Sequence, residues 1–384
     1  MMPRLARSPN GKLVSVPGHK QTAFVPNPLP REAALSPSLI VALDKASRAV
    51  ATLAGVGETI PNPTILVRPF MRREAVLSSS IEGTYASLSD LFLYEASDEA
   101  HPRGDVREVA NYVRALEQGL RLLERLPISL RLINQTHERL LRGVRGEDKH
   151  PGELRTEQVH IGVPGTPIEE ARYVPPPADL VRDLLLDWER FANEALPLPP
   201  LIACAMLHYQ FEAIHPYLDG NGRIGRLLIT LFLCAKGVLP APLLYLSAYF
   251  DKQRAQYYDR LFNVSAEGDW EGWINFFLEG VEQQSWDAIA RIRQVRAIHE
   301  RHMNVARERQ LSGNAMRLIE ELLARPYMTA PRASAFLGIT NPGARAVLGK
   351  LVAAGILEAV PDSWPRLYLA REVLQALEAP TAQG

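Results

Sequence analysis

Apolar side chains recur every three to four residues along most of this chain, the spacing of helices with one buried face. Such runs cover Ser36 to Leu53, about Pro69 to Ile81, two stretches between Val106 and Arg145 split near Pro127, and Leu246 to Asn263. Glu267 to Gln283 is rich in Trp and Phe and predicts a packing helix; Gln284 to Arg309 predicts a long charged one, with His299 and His302 in solvent. Leu201–Ile214 and Leu227–Ala235 are more apolar than the rest, the second nearly all round, and predict two buried helices. Strand character is confined to Gln158–Gly162 and Tyr173-Val174, either side of a Pro164-Gly165-Thr166-Pro167 turn. Residues 1–33, rich in Pro, Arg and Lys, show no period and predict an extended arm. From about Ser312 the pattern becomes three helices and two short strands, the spacing of a winged helix.

The two buried helices flank the stretch richest in chemistry, His215 to Arg226, which reads HPYLDGNGRIGR. A helix that opens at Gly220-Asn221-Gly222 presents unpaired backbone N–H groups and a partial positive charge, and glycines allow an anion close approach. Arg223 and Arg226 add guanidinium forks suited to phosphate oxygens. Asp219 is a hard oxygen ligand of the type Mg²⁺ uses alongside substrate phosphates. His215 can accept a proton near neutral pH. Base, metal ligand, anion cradle and two arginines together point to transfer of a phosphorus-centred group to a hydroxyl.

These twelve residues resemble the signature of the Fic/DOC family: His, any, Phe, any, Asp or Glu, Gly-Asn-Gly-Arg, two of any, Arg. The one departure is Tyr217 in place of Phe, tolerable in a core if its hydroxyl finds a partner. The resemblance covers roughly residues 65–290 and implies a mainly α fold, the Fic helical bundle with a short β-hairpin flap, plus a small C-terminal winged-helix-like domain. The implied organisation is an arm over 1–33, N-terminal helices over 34–150 with an inhibitory helix at 69–83, a catalytic core over 151–310, and the small domain over 311–384. In that core the flap spans 156–175 and the signature 215–226.

The resemblance also implies roles. Most relatives are protein adenylyltransferases, which move AMP from ATP to a Ser, Thr or Tyr hydroxyl. His215 would be the catalytic base and Asp219 the Mg²⁺ ligand. Gly220, Asn221, Gly222, Arg223, Ile224, Gly225 and Arg226 would bind ATP, with the Asn221 side chain steadying the transferring phosphoryl and Tyr257 and Tyr258 at the purine. Ser78, Ser79-Ser80-Ile81, Glu82 and Gly83 match the family's inhibitory motif, in which the glutamate pairs with the last signature arginine, Arg226. Val159, His160, Ile161 and Gly162 of the flap would offer an edge strand to the target segment.

Composition narrows the classes. The chain has 384 residues, enough for two or three domains, with 43 basic and 43 acidic residues and so no net charge to attract nucleic acid or membrane. Cys204 and Cys234 lie in apolar helical runs and read as buried hydrophobes in a reducing cytosol. Zinc-protease and P-loop patterns are lacking, as is an apolar run of membrane-spanning length, so a cytoplasmic enzyme is expected. On the third tail helix Asn341, Arg345 and Lys350 are diluted by Glu358, Asp362 and Glu372, so DNA is not the expected partner. The tail is expected to be separable from the chemistry. The partners expected are ATP and a target-protein hydroxyl, the protein's own included; a homodimer is compatible with the sequence but not specified by it. Two other functions remain open: transfer of another phosphate-containing group or removal of AMP on the same fold, and a DNA-binding regulator with a nucleotide-sensing site.

Overall fold

The structure, a computed structural model, describes residues 2–16, 18–58, 64–96, 104–162, 165–361 and 363–378. It is mostly helical, with two small antiparallel sheets among the described residues. In chain order come α1 (Met2–Leu5), β1 (Gly11–Ser15), β2 (Thr22–Pro26), α2 (Pro37–Glu58), α3 (Thr64–Ile81), α4 (Leu88–Ala96), α5 (Gly104–Leu123) and α6 (Leu130–Leu141). The central helices are α7 (Ala178–Asn193), α8 (Pro200–Ile214), α9 (Asn221–Ala235), α10 (Ser247–Lys252), α11 (Arg254–Glu267) and α12 (Trp270–Glu308). The tail adds α13 (Gly313–Ala324), β3 (Tyr327–Thr329), α14 (Ala330–Leu337), α15 (Asn341–Ala353), β4 (Glu358–Ala359), β5 (Leu367–Leu369) and α16 (Arg371–Glu378).

The two most apolar runs do form the centre. Helix α8 is buried at all but one of its polar or apolar positions from Leu201 to Ile214, and α9 is buried from Arg223 to Leu233. An aromatic cluster of Phe250, Tyr257, Trp273 and Phe276 closes the core behind them. Helix α3 ends where the chain turns left-handed at Gly83 (φ +80°), with the Thr84 N–H bonded to Ser79 O at 3.0 Å, a glycine-capped end that places Glu82 at the very tip.

Several expectations are corrected. Residues 1–33 are more than an extended arm: β1 and β2 pair antiparallel with Leu13 opposite Phe24, and the Phe24 N–H reaches Val174 O at 2.9 Å. A small apolar cluster of Val16, Ala23 and Val174 joins this hairpin to the flap region. Among its described residues the flap holds no strand, only one bridge between Ile161 and Tyr173, with Gly162 following one partner and Pro175 close after the other. Pro164 and Asp362 lie outside the described residues. The run Leu246 to Asn263 breaks at Gln253 into α10 and α11.

The runs Glu267–Gln283 and Gln284–Arg309 fuse into one 39-residue helix, α12. No Gly or Pro interrupts them there, and a buried stripe (Ser285, Ala288, Ile289, Ile292, Val295, Ile298) continues at helical spacing. Its His302 is not in solvent but buried against Glu372 at 2.9 Å, and His299 is half-buried.

In the tail, β3, β5 and β4 form an antiparallel sheet in that order beside four helices, one helix and one strand more than the sequence pattern predicts. The tail is not set apart. Helices α13 and α16 both pack on α3 and α12, and a single buried apolar cluster contains Ile292 and Val295 of α12 with Leu318, Ile319 and Val373 of the tail.

Candidate active site

Helix α8 stops at His215, whose backbone takes the left-handed conformation (φ +50°) rarely adopted by a non-glycine residue. Arg155 holds that bend in place. Its guanidinium donates to the carbonyls of His215 (2.8 Å), Glu157 (3.0 Å) and Pro176 (2.5 Å), and its own N–H to Pro216 O (3.0 Å). Burial lowers its pKa to about 10. One side chain thus ties the signature loop to both ends of the flap.

Tyr217 is wholly buried, and its hydroxyl finds the partner it needs in Asn134 Oδ1 at 2.6 Å. Asn221 clamps the same residue from below: its Oδ1 accepts the Tyr217 N–H and its amide donates to Tyr217 O, both at 2.8 Å. The Asn221 side chain is therefore spent within the loop, not turned outward to a phosphoryl group. Ile224 likewise faces the core, and Gly225 sits where any Cβ would overlap Glu212 Oε1.

The opening turn of α9 holds a carboxylate. A Cβ on Gly222 would overlap Glu82 Oε1, so the carboxylate of Glu82 lies directly on the helix N-terminus. Arg226 grips it at 2.8 Å and is braced in turn by Ser78, through Nε to Oγ and Nη2 to the carbonyl, both at 2.9 Å. Burial would push the Glu82 carboxyl up, but Arg226, with help from Arg223 and His215, outweighs it and holds the group below its usual range. The predicted meeting of Ser78, Glu82 and Arg226 is thus present. Arg223 is buried between Glu108 and Asp219, each at 3.4 Å, and Thr84, two residues after Glu82, donates to the same Glu108 oxygen at 2.9 Å.

Asp219 is half-buried at the mouth of the loop. Its Oδ1 accepts the Gly220 N–H at 2.6 Å, while Oδ2 faces Gly146. One hard oxygen beside an anion seat suits a cation that arrives with phosphates and keeps its waters. Among the described residues no cluster of three or more His, Cys, Asp or Glu could hold a metal unaided.

The predicted purine residues differ. Tyr257 is buried, bonded to His208 at 2.8 Å, whereas Tyr258 is only half-buried and feels the charges of Glu82 and Arg226. In the flap, Val159, His160, Ile161 and Gly162 are half-buried or exposed, and Gln158 spans to Pro175 O at 2.9 Å. Sequence reading missed Arg155, Glu108, Asn134, His137 and Glu212.

Buried groups set the pH response. Burial holds His137, His208 and His215 down to about 4, 3 and 4. In the unfolded chain they protonate near about 6.5, so their contribution to stability is complete above that pH and lost as pH falls toward 4. Burial raises Glu74 to about 7 and Glu212 to about 8. Their contribution is complete below the unfolded carboxyl value of about 4.3 and lost as pH rises toward 7 and 8. Between about pH 6.5 and 4.5 the two carboxyls offset two of the three histidines. The thermal midpoint is expected to fall gently over that range and steeply below it, as calorimetry would read.

Similarity to known proteins agrees with this geometry. The Fic/DOC family N-terminal profile matches residues 40–121, and the Fic/DOC family profile matches residues 127–233. A protein adenylyltransferase Fic of Drosophila grimshawi is 33% identical over 165 residues, 42% of this chain and 30% of that protein; its Drosophila melanogaster counterpart is 31% identical over the same shares. The match thus spans under a third of those relatives' length. A Fic family protein from Desulfovibrio desulfuricans has a TM-score of 0.57 at 22% identity, covering 88% of this chain and 97% of its own. Residues 134–508 of Caenorhabditis elegans Fic-1 give 0.51 at 25% identity, covering 65% of this chain and 73% of that one.

Proposed function

The chain belongs to the Fic/DOC family, and from that premise we propose that it is a protein adenylyltransferase, moving AMP from ATP to a hydroxyl of a target protein or of itself. The observation that carries the reading is the Glu82 carboxylate lodged on the α9 N-terminus in the grip of Arg226. A seat that accepts one anion there accepts a phosphate, and an internal carboxylate in it is an inhibitor by occupancy.

In this reading the N–H groups at the start of α9 and the Arg223 guanidinium steady the phosphates, and Arg226 takes the terminal one once Glu82 leaves. His215, at the loop's entrance, removes the proton of the acceptor hydroxyl. Asp219 would hold Mg²⁺, which supplies charge neutralisation to the phosphates when bound. Catalysis is then mostly positioning and charge stabilisation. Tyr258 is the residue at hand for the purine, with Tyr257 packed behind it.

The test is incubation of the purified chain with α-labelled ATP and a cell lysate, then mass spectrometry of what is labelled. Label on a Ser, Thr or Tyr of any protein supports the proposal; none, with Glu82 removed as well, sinks it. Replacing Asp219 with alanine is expected to abolish the Mg²⁺ response of nucleotide binding, since the remaining signature residues offer no second carboxylate. An unchanged Mg²⁺ titration would point to another ligand set.

Removal of AMP remains a second reading, because the engaged Glu82 is the state found here; loss of label from a modified target would reveal it. We take the tail as winged-helix-like and as a protein-binding rather than DNA-binding module, although Asn341, Arg345 and Lys350 are exposed on α15. A mobility-shift assay separates the two. No helix among the described residues is long and apolar enough to cross a membrane.

A further inference from the structure

His137 lies 82 residues before Asp219 in sequence and directly beneath it in space. Its ring is fully buried and lies flat on the Tyr217 ring, centroids 3.8 Å apart and planes 8° from parallel. Nδ1 accepts the N–H of Gly152 at 2.8 Å, so that nitrogen carries a lone pair. The ring proton is therefore on Nε2, which donates to the Asp219 carbonyl at 2.9 Å. One turn earlier on the same face of α6, Asn134 accepts the Tyr217 hydroxyl.

The loop is shaped to this face. Gly220 turns left-handed (φ +79°) over the ring, where a Cβ would come within 3.3 Å of Nε2. The Asp219 peptide is thus pinned at its carbonyl by His137, while its Oδ1 is pinned by the Gly220 N–H and drawn toward Arg223. Oδ2 takes no part in these ties and faces Gly146.

We propose that His137 is a positioning residue, whose Nε2–H holds the Asp219 backbone so that the carboxylate stands ready for a divalent cation arriving on a nucleotide's phosphates. The assignment rests on the nucleotide-transfer reading above. A buried, stacked histidine has an ordinary alternative role in packing, and the two differ in what they move. Packing alone would change stability and nucleotide affinity together. Positioning of Asp219 changes the cation requirement while leaving metal-free nucleotide binding alone.

The experiment uses the full chain and calorimetric binding of an ATP analogue that cannot be cleaved between the α- and β-phosphates, titrated over Mg²⁺. His137→Phe keeps the stacked ring and removes both hydrogen bonds; His137→Gln keeps an N–H donor. Removing an outer partner of a metal ligand typically weakens metal affinity by about tenfold or more. The Phe variant is expected to need about tenfold more Mg²⁺ at the binding midpoint, with unchanged affinity in EDTA, and the Gln variant to recover part of the difference. A folded Phe variant with the wild-type Mg²⁺ midpoint overturns the proposal, as does a parallel loss of metal-free affinity or a wild type indifferent to Mg²⁺. If both variants fail to fold, Asn134→Leu removes the neighbouring tie and is read the same way: an unchanged midpoint overturns α6 as the positioning face. Binding decides the role of His137, whereas label transfer from α-labelled ATP by the wild type separately decides the transferase reading.

Discussion

His215→Ala is expected to lower AMP transfer by about 10²–10⁴, the usual cost of removing a general base, while nucleotide affinity stays near wild type. The imidazole stands at the α8 terminus with Nδ1 buried and unpartnered, and burial, reinforced by Arg155, holds it neutral with a pKa of about 4. A neutral ring is ready to accept a proton throughout the physiological range. Its low basicity in the free protein must rise once a polyanion binds beside it, since negative charge favours the protonated form. The acid limb of kcat/KM should therefore fall near pH 4, and that of kcat at higher pH, because the two report free and nucleotide-bound protein. Turnover by the alanine variant close to wild type would take His215 out of the mechanism. An acid limb of kcat/KM at the ordinary histidine value would show that the base is some other group.

Glu82→Gly is expected to raise transfer ten- to a hundredfold. The carboxylate both fills the Arg226 fork and sets a negative charge where a polyphosphate would lie. A charge-assisted bond of this kind is worth about 1.5–3 kcal/mol, and about 1.4 kcal/mol is a decade in an equilibrium. Two features make the released arginine useful rather than loose. Ser78 still holds its Nε and Nη2, and Glu82 itself sits at a glycine-capped helix end where a second glycine costs little. The double variant Glu82→Gly, Arg226→Ala should lose the gain. Transfer no faster than wild type across a range of ATP concentrations, in a folded Glu82→Gly protein, would falsify inhibition by occupancy.

The signature and the Ser78–Gly83 motif were legible because each is contiguous: the chemistry lies within twelve residues and within six. Even their meeting could be foreseen only through family resemblance, since nothing local links residue 82 to residue 226. Arg155, Glu108 and His137 were not legible for the complementary reason. Each is a single polar residue whose partners are backbone groups or side chains well away along the chain, and such a residue leaves no period or spacing to read. Asn221 misled in another way. Its place among glycines suggests an outward amide, whereas the loop needs both of its hydrogen-bonding groups to satisfy the buried Tyr217 backbone. The arm over 1–33 hid a hairpin because its alternation covers only five residues on each strand, too short to stand out among prolines. The break expected near Gln283 was imposed where charge density changes, but helices end at caps and breakers, not at a change in polarity.

Helix α12 is 39 residues long, a rod of roughly 58 Å at the usual rise per residue. Its first half packs against α8, where the Trp273 indole donates to the Ala205 carbonyl at 2.8 Å. In its second half Arg291 donates to the carbonyls of Ala376 and Leu377 at the end of α16, at 3.0 and 2.9 Å, and pairs with Asp287, which Arg73 of α3 also approaches at 3.5 Å. A cut after residue 310 therefore does not fall between two independently folded bodies; it bares the backs of α3 and α12 to water. Heating the intact protein should give one calorimetric transition, with the enthalpy of the whole chain, where two separable domains would give two.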